Sequence, residues 1–171
     1  YHTIADFSFT NQEGKQITNA AVKGKVYVAD FFFTSCPTIC PVMKKQMLRV
    51  FEAYKDDPNF MILSHTIDPE YDTQTLLKDY SMRLGIENAN TWNFLTGDQE
   101  KIFEIGQTSY LTTAMNDKNE PGGFLHSGAF VLIDQFGRIR GVYDGTKENQ
   151  VNLLIKDIPK LLNENNESSN R

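Results

Sequence analysis

Val28-Ala-Asp-Phe-Phe-Phe-Thr-Ser-Cys-Pro-Thr-Ile-Cys-Pro-Val-Met43 opens as an apolar strand, passes two cysteines and ends in the first turn of a helix. Cys36 and Cys40 are the only cysteines in the chain, with three residues between them. Pro41 suits the first helical position, where the missing N–H costs nothing and φ is already set for helix. Cys40 then falls at the helix N-terminus, where the dipole and the unpaired N–H groups favour a thiolate. Pro37 stiffens the loop and holds the two sulfurs near one another at a strand-to-helix junction. Such a pair serves soft-metal or redox chemistry. As a structural disulfide it would do little, because so short a loop hardly constrains the unfolded chain.

The flanking sequence builds a layered α/β fold around that junction. Residues 6–18 alternate apolar and polar about Asn11-Gln-Glu-Gly14, the pattern of a β-hairpin with glycine in its turn. The near-continuous apolar run from Val26 to Phe33 predicts a strand covered on both faces. Met43, Met47, Val50, Phe51 and Tyr54 then fall on one helical stripe, so the methionines read as core rather than as thioether ligands. A second strand spans Phe60 to Ile67, followed by the loop Asp68-Pro-Glu-Tyr-Asp72 and a helix carrying Leu76, Leu77, Tyr80 and Leu84, with Asp72 or Thr73 as N-cap. Trp92 to Leu95 is a short third strand, and a helix with Ile102, Phe103 and Tyr110 follows. Residues 112–123 are polar and end in turn formers, which predicts an exposed, mobile loop. Phe124 to Ile133, the turn Asp134-Gln-Phe-Gly137 and Arg138 to Tyr143 read as a second hairpin. The last helix places Val151, Leu154, Ile155, Ile158 and Leu162 on one face, with a kink or stop expected at Pro159. Residues 1–162 form one expected domain, and 163–171 a flexible polar tail.

In a parallel α/β sheet, sites lie beyond the carboxyl ends of the strands. Cys36 follows one such end and Asp68 the next. A strand entering antiparallel at Phe124-Leu125 begins at that same edge and carries His126 to it. Two thiolates and an imidazole make a soft three-coordinate set that suits Cu(I) and accepts Cu(II) with further donors. Zinc in a structural site wants a fourth protein ligand, which only His65 or a carboxylate could supply. Asp68 reads either as a helix cap or as a group that orients the site. His65 is a reserve ligand, and His2 lies at a terminus.

Composition narrows the partners. The net charge is −5, with no basic run, which argues against a nucleic-acid binder. No apolar run reaches the length of a membrane-spanning helix. The chain opens at Tyr1 rather than Met, which reads as a processed or truncated start, so a signal peptide or anchor ahead of it would not be seen.

Phe33-Thr-Ser-Cys-Pro-Thr-Ile-Cys-Pro41, Ile67-Asp-Pro-Glu-Tyr-Asp-Thr73 and Leu125-His-Ser-Gly-Ala-Phe-Val-Leu-Ile-Asp134 together resemble the Sco/SenC family, over roughly residues 5–162. The resemblance implies a thioredoxin-like three-layer fold, with the N-terminal hairpin and a loop-and-hairpin insertion before the last helix. It implies a copper chaperone that binds the metal through Cys36, Cys40 and His126, with Asp68 in support. It also implies delivery to the dinuclear copper site of cytochrome c oxidase, with other copper chaperones or thioredoxin-like reductants as further partners. The setting it implies is extracytoplasmic, on the periplasmic side, with membrane contact through an N-terminal anchor only. This chain departs from the family in carrying Tyr71 where Arg is frequent, Leu125 where Asp is common, and His65 inside a strand. The alternative reading is a thiol–disulfide oxidoreductase using the Cys36/Cys40 dithiol without a copper duty. Against the ordinary thioredoxin type stand the spacing, which is not Cys-x-x-Cys, and the lack of a proline directly before the final strand near His126. A peroxiredoxin lacks support in the absence of its upstream proline and threonine, and a redox or copper sensor would need a signalling partner.

Overall fold

The computed structural model describes residues 3–35, 39–110, 115–116, 124–125 and 128–169. The predicted hairpin forms from β1 (Ser8–Thr10) and β2 (Gln16–Thr18), paired antiparallel. Its turn is closed by Asn11, whose Oδ1 accepts from the backbone N–H groups of Glu13 (2.9 Å) and Lys15 (3.0 Å). Gly14 supplies the positive φ, +79°. One turn of helix, α1 (Asn19–Val22), leads to β3 (Val26–Phe32), every residue of which is buried.

Then follow α2 (Ile39–Tyr54), β4 (Phe60–Thr66), α3 (Gln74–Arg83), β5 (Trp92–Leu95) and α4 (Gln99–Glu104), which runs into a π-helical turn at Ile105–Ser109. β6 (Met115–Asn116) and β7 (Phe124–Leu125) pair antiparallel, so the segment expected to be loop carries a short ribbon at its ends. β8 (Ala129–Ile133), β9 (Ile139–Asp144) and α5 (Glu148–Ser169) complete the chain. The expected single strand from Phe124 to Ile133 is therefore two. Gly128, at φ +74°, turns the backbone between them, and its carbonyl accepts from Gly145 N at 2.7 Å.

The main sheet has the order β5-β4-β3-β8-β9. β3, β4 and β5 are parallel, while β8 runs antiparallel to β3 and β9 antiparallel to β8. With neighbours on both edges and cover on both faces, β3 must be apolar throughout, and Asp30 is the exception. Alternation sends Asp30 and Phe32 to one face and Tyr27 and Phe31 to the other. On the first face pack α2 and α3, where Phe32 stacks on Tyr80 and Phe51 meets Trp92. On the second lie the β1–β2 hairpin and the π-helical turn. There the Tyr27 and Tyr110 hydroxyls meet at 2.9 Å, and Phe9 sits edge-on to His65. Gln12 pairs with the outer edge of β5 like a strand residue: its Nε2 donates to Trp92 O and its Oε1 accepts from Phe94 N, both at 2.9 Å.

The methionine stripe is core. Met43, Met47 and Val50 are all buried. α5 continues through Pro159, where a kink or stop was expected, and on past Leu162 to Ser169. Proline has no N–H for the carbonyl four residues back, and the Tyr54 hydroxyl of α2 donates to that carbonyl, of Ile155, instead. Glu164, beyond the expected domain end, ion-pairs with Arg140 of β9 at 2.9 Å.

Candidate functional site

The carboxyl ends of β3 and β4 meet at the rim that the sequence selects. There Ile67 N donates to Phe32 O at 2.8 Å, locking the two strand exits together. The chain leaves β3 through buried Phe33 into a turn at Thr34-Ser35, directly ahead of the first cysteine. Asp72 holds that turn. Its Oδ2 accepts from Thr34 N (3.0 Å) and from Thr66 Oγ1 (2.6 Å), and its Oδ1 accepts from Thr34 Oγ1. Asp72 is fully buried, and the helix is capped instead by Thr73, whose side chain accepts from Leu76 N. Of the two expected N-caps, one caps and the other ties the cysteine loop to the end of β4.

Asp68 is half-buried at the same exit. Its N–H donates to Thr66 Oγ1 at 3.0 Å and its carbonyl accepts from Asp72 N at 2.8 Å. Burial, followed by the neighbouring carboxylates of Asp72 and Glu70, raises its carboxyl above the ordinary value, while a backbone bond from Tyr71 opposes the shift. Tyr71 itself is exposed beside it.

Cys40 lies in the first turn of α2, which begins at Ile39, two residues ahead of the first position expected at Pro41; Cys40 is 6% exposed and lies against the sheet face that carries Asp30. Cys40 is the second residue of this sixteen-residue helix, within the first turn where the partial positive charge of the N-terminus acts. Cys40 lines a cavity of about 20 Å³ together with Asp30, Lys44, Ser64, Tyr80 and Trp92. The expected ligands Cys36 and His126 lie outside the described residues, as does Pro37 between the two cysteines. Among the described residues no group of three or more metal-ligating side chains comes together. Cys40 supplies a soft sulfur donor at the right edge, which fits a Cu(I) cargo better than a hard cation.

His65 leaves the candidate ligands. It is fully buried on the opposite face of β4 from Ser64, stacked on Phe31 at 4.7 Å and close to Phe9 and Tyr110. Nδ1 lies 3.1 Å from Asp30 O, and Nε2 has no hydrogen-bond partner. Desolvation lowers its pKa to about 4, against the opposing backbone bonds at Asp30 and Leu63, so the ring is neutral at pH 7.

Asp30 is the residue that pattern reading passed over. It is nearly fully buried, its Oδ1 accepts from Ser64 Oγ, and Ser64 Oγ in turn accepts from Trp92 Nε1 at 2.9 Å. Burial raises its carboxyl to about 7, and the Ser64 bond opposes the shift. The available signal was a lone acid within the apolar run Val26–Phe33.

The parallel β3–β4–β5 core, the antiparallel β8–β9 hairpin and a cysteine at a strand-to-helix junction define a thioredoxin-like α/β protein. The SCO1/SenC family model matches residues 1–163, and the chain belongs to that family. It is similar to a SCO1/SenC family lipoprotein from Bacillus anthracis, at 32% identity and TM-score 0.84, covering 94% of this chain and 95% of that one. It is also similar to BsSco, described as a member of the Sco family of cytochrome c oxidase assembly proteins with a disulfide switch. That likeness is 31% identity and TM-score 0.79, covering 92% of each chain. Bradyrhizobium japonicum ScoI, solved with copper bound, is 25% identical with TM-score 0.74, covering 93% of this chain and 99% of that one.

Proposed function

We propose that this chain is a copper metallochaperone that carries one copper on the thiolates of Cys36 and Cys40 and the imidazole of His126. Its recipient is the dinuclear copper site of cytochrome c oxidase. Asp68 supports the site from the β4 exit. Oxidation of the pair to a disulfide removes both thiolates and releases the metal; reduction restores binding. The protein works on the extracytoplasmic side, tethered to a membrane, in keeping with the lipoprotein among its relatives. The observation that carries the reading is Cys40, held in the first turn of α2 at the carboxyl edge of the parallel strands, in a chain of this family. The copper-bound relative supports the cargo, and the oxidase-assembly relative supports the recipient.

The test is an anaerobic Cu(I) titration of the reduced protein against a competing chelator, repeated on the disulfide form, on Cys40→Ser and on His126→Ala. One tight equivalent is expected in the reduced wild type, lost on oxidation and in Cys40→Ser, and weakened in His126→Ala. A full tight equivalent on Cys40→Ser would overturn the site. A second reading, a dithiol oxidoreductase without cargo, is favoured by the acid at Asp30 behind Cys40. It gains the case if copper binding proves weak and indifferent to redox state.

A further inference from the structure

We propose that the groove between β1 and α4 binds an extended, basic segment of a partner protein, which adds to β1 as a short antiparallel strand. The groove lies on the hairpin face of the sheet, where Phe9 meets His65, and so on the opposite side from Cys40. Binding there is independent of the copper site.

β1 pairs with β2 through one edge and leaves the other open. Thr10 marks that outer edge: its N–H donates to Thr96 O at 2.9 Å, and its carbonyl accepts from Thr96 N at 2.8 Å. In an antiparallel strand the N–H and C=O of one residue point to the same side, and those of the residue two positions away point there too. Ser8 therefore presents both groups on the side of Thr96, and neither bonds to another described residue. No second rung follows, because the chain passes Gly97 and enters α4 with Asp98 as its N-cap. Where the next strand would run there is a groove of about 420 Å³, within the range of ligand-binding clefts.

The opposite wall is one helical face. Lys101, Glu104, Ile105 and Thr108 line it at helical spacing, and the last two belong to the π-helical turn, an irregularity that concentrates at functional sites. Phe7, Phe9 and Ile105 supply the apolar lining. The Thr10–Thr96 bonds close one end, and Ala5 N, donating to Ser109 Oγ at 3.1 Å, closes the other. The open strand between these ties, Asp6 to Phe9, is about 13 Å long, so about four residues of extended chain fit beside it. A strand edge facing a helix across a groove is how extended peptides add to a sheet. Main-chain bonds supply the affinity and the lining side chains the specificity. The donor and acceptor of Ser8 match a peptide backbone, which brings one of each.

The charges select the segment. Asp6 and Glu104 line the groove without an ion pair among the described residues, and Lys101 is the one cation on the lining. The groove is therefore net negative, on a chain whose own charge is −5. A lysine or arginine beside an apolar residue complements it.

The test pans a displayed library of short random peptides on the immobilised full chain, then measures the selected peptides, synthesised with blocked ends, by fluorescence anisotropy. They are expected to share a lysine or arginine next to an aliphatic or aromatic residue. Bound peptide should slow hydrogen exchange of the Ser8 amide at least about 10-fold, a reading that needs no variant to fold. Ser8→Pro removes the outward N–H at a position where an edge strand tolerates proline, and should weaken binding about 10-fold with an unchanged thermal midpoint. Ser8→Ala keeps the N–H, loses the hydroxyl and should bind as the wild type does. Glu104→Gln should weaken binding by up to about 5-fold and flatten its dependence on salt. A library that yields no binder above background overturns the proposal. So do binders that hold Ser8→Pro as tightly as the wild type and leave the Ser8 amide exchanging freely.

Discussion

Thr34 gives both its backbone N–H and its hydroxyl to the carboxylate of Asp72, thirty-eight residues further along the chain. The same carboxylate takes the Thr66 hydroxyl, so one buried acid sets the geometry of the turn that delivers the cysteine loop. Asp72→Ala strands two hydroxyls and an N–H, and with bonds to a charged group it should cost about 2–4 kcal/mol by urea unfolding. Copper should still bind, about 10–100-fold more weakly, as when a group that orients a ligand is lost. Equal stability and affinity in Asp72→Ala would show that the loop is held some other way.

His65 and Asp30 set opposing pH dependences. The folded pKa of His65 lies at about 4, below the ordinary 6.5, so its contribution is complete above pH 6.5 and is lost as pH falls toward 4. The folded pKa of Asp30 lies at about 7, above the ordinary 3.8, so its contribution is complete below 3.8 and is lost as pH rises toward 7. Full spans of this size are worth about 3 kcal/mol for the imidazole and about 4 kcal/mol for the carboxyl. Between pH 4 and 6.5 the two should largely cancel in the wild type. Asp30→Asn should expose stability rising with pH, and His65→Leu stability falling with pH, in urea unfolding measured at half-unit steps. Asp30→Asn should also be the more stable protein at pH 7. Identical slopes in the two variants would rule out this pairing.

Tyr54 stands in for the N–H that Pro159 lacks. Tyr54→Phe leaves the Ile155 carbonyl without its donor and should cost about 1 kcal/mol. In a Pro159→Ala background the helix N–H returns and the same change should cost much less. A double-mutant cycle reads the difference directly, and additive costs would argue against the substitution of one donor for the other.

Gly145 closes the rim at the end of β9, where its N–H meets Gly128 O at 2.7 Å. A Cβ there would overlap the ring of Phe130, a fully buried side chain with little room to shift. Gly145→Ala should therefore cost about 1–3 kcal/mol, readable as a lowered thermal midpoint. An unchanged midpoint would mean that the β8–β9 end yields more readily than its packing implies.

The sequence by itself determined the parts that local pattern controls. The run Val26–Phe33 had to be a central strand because both its faces are apolar. The Asn11–Gly14 turn had to close a hairpin, and the methionine stripe had to be core, because periods of two and of 3.6 residues read out directly from side-chain order. The strand–cysteine–helix junction followed from the same patterns and brought Cys40 to the rim. Only the tertiary structure decided what the polar residues inside that pattern do. Asp72 and Thr73 are equally good caps on paper, and it takes the position of Thr34 and Thr66 to take Asp72 away. His65 and Ser64 are neighbours in one strand, and the pleat seals one among aromatic rings while the other faces the cysteine helix. Asp30 had no local signature beyond its charge. Its state depends on a serine one strand away and a tryptophan two strands away, because the pKa and the partners of a buried group are set by what packs against it.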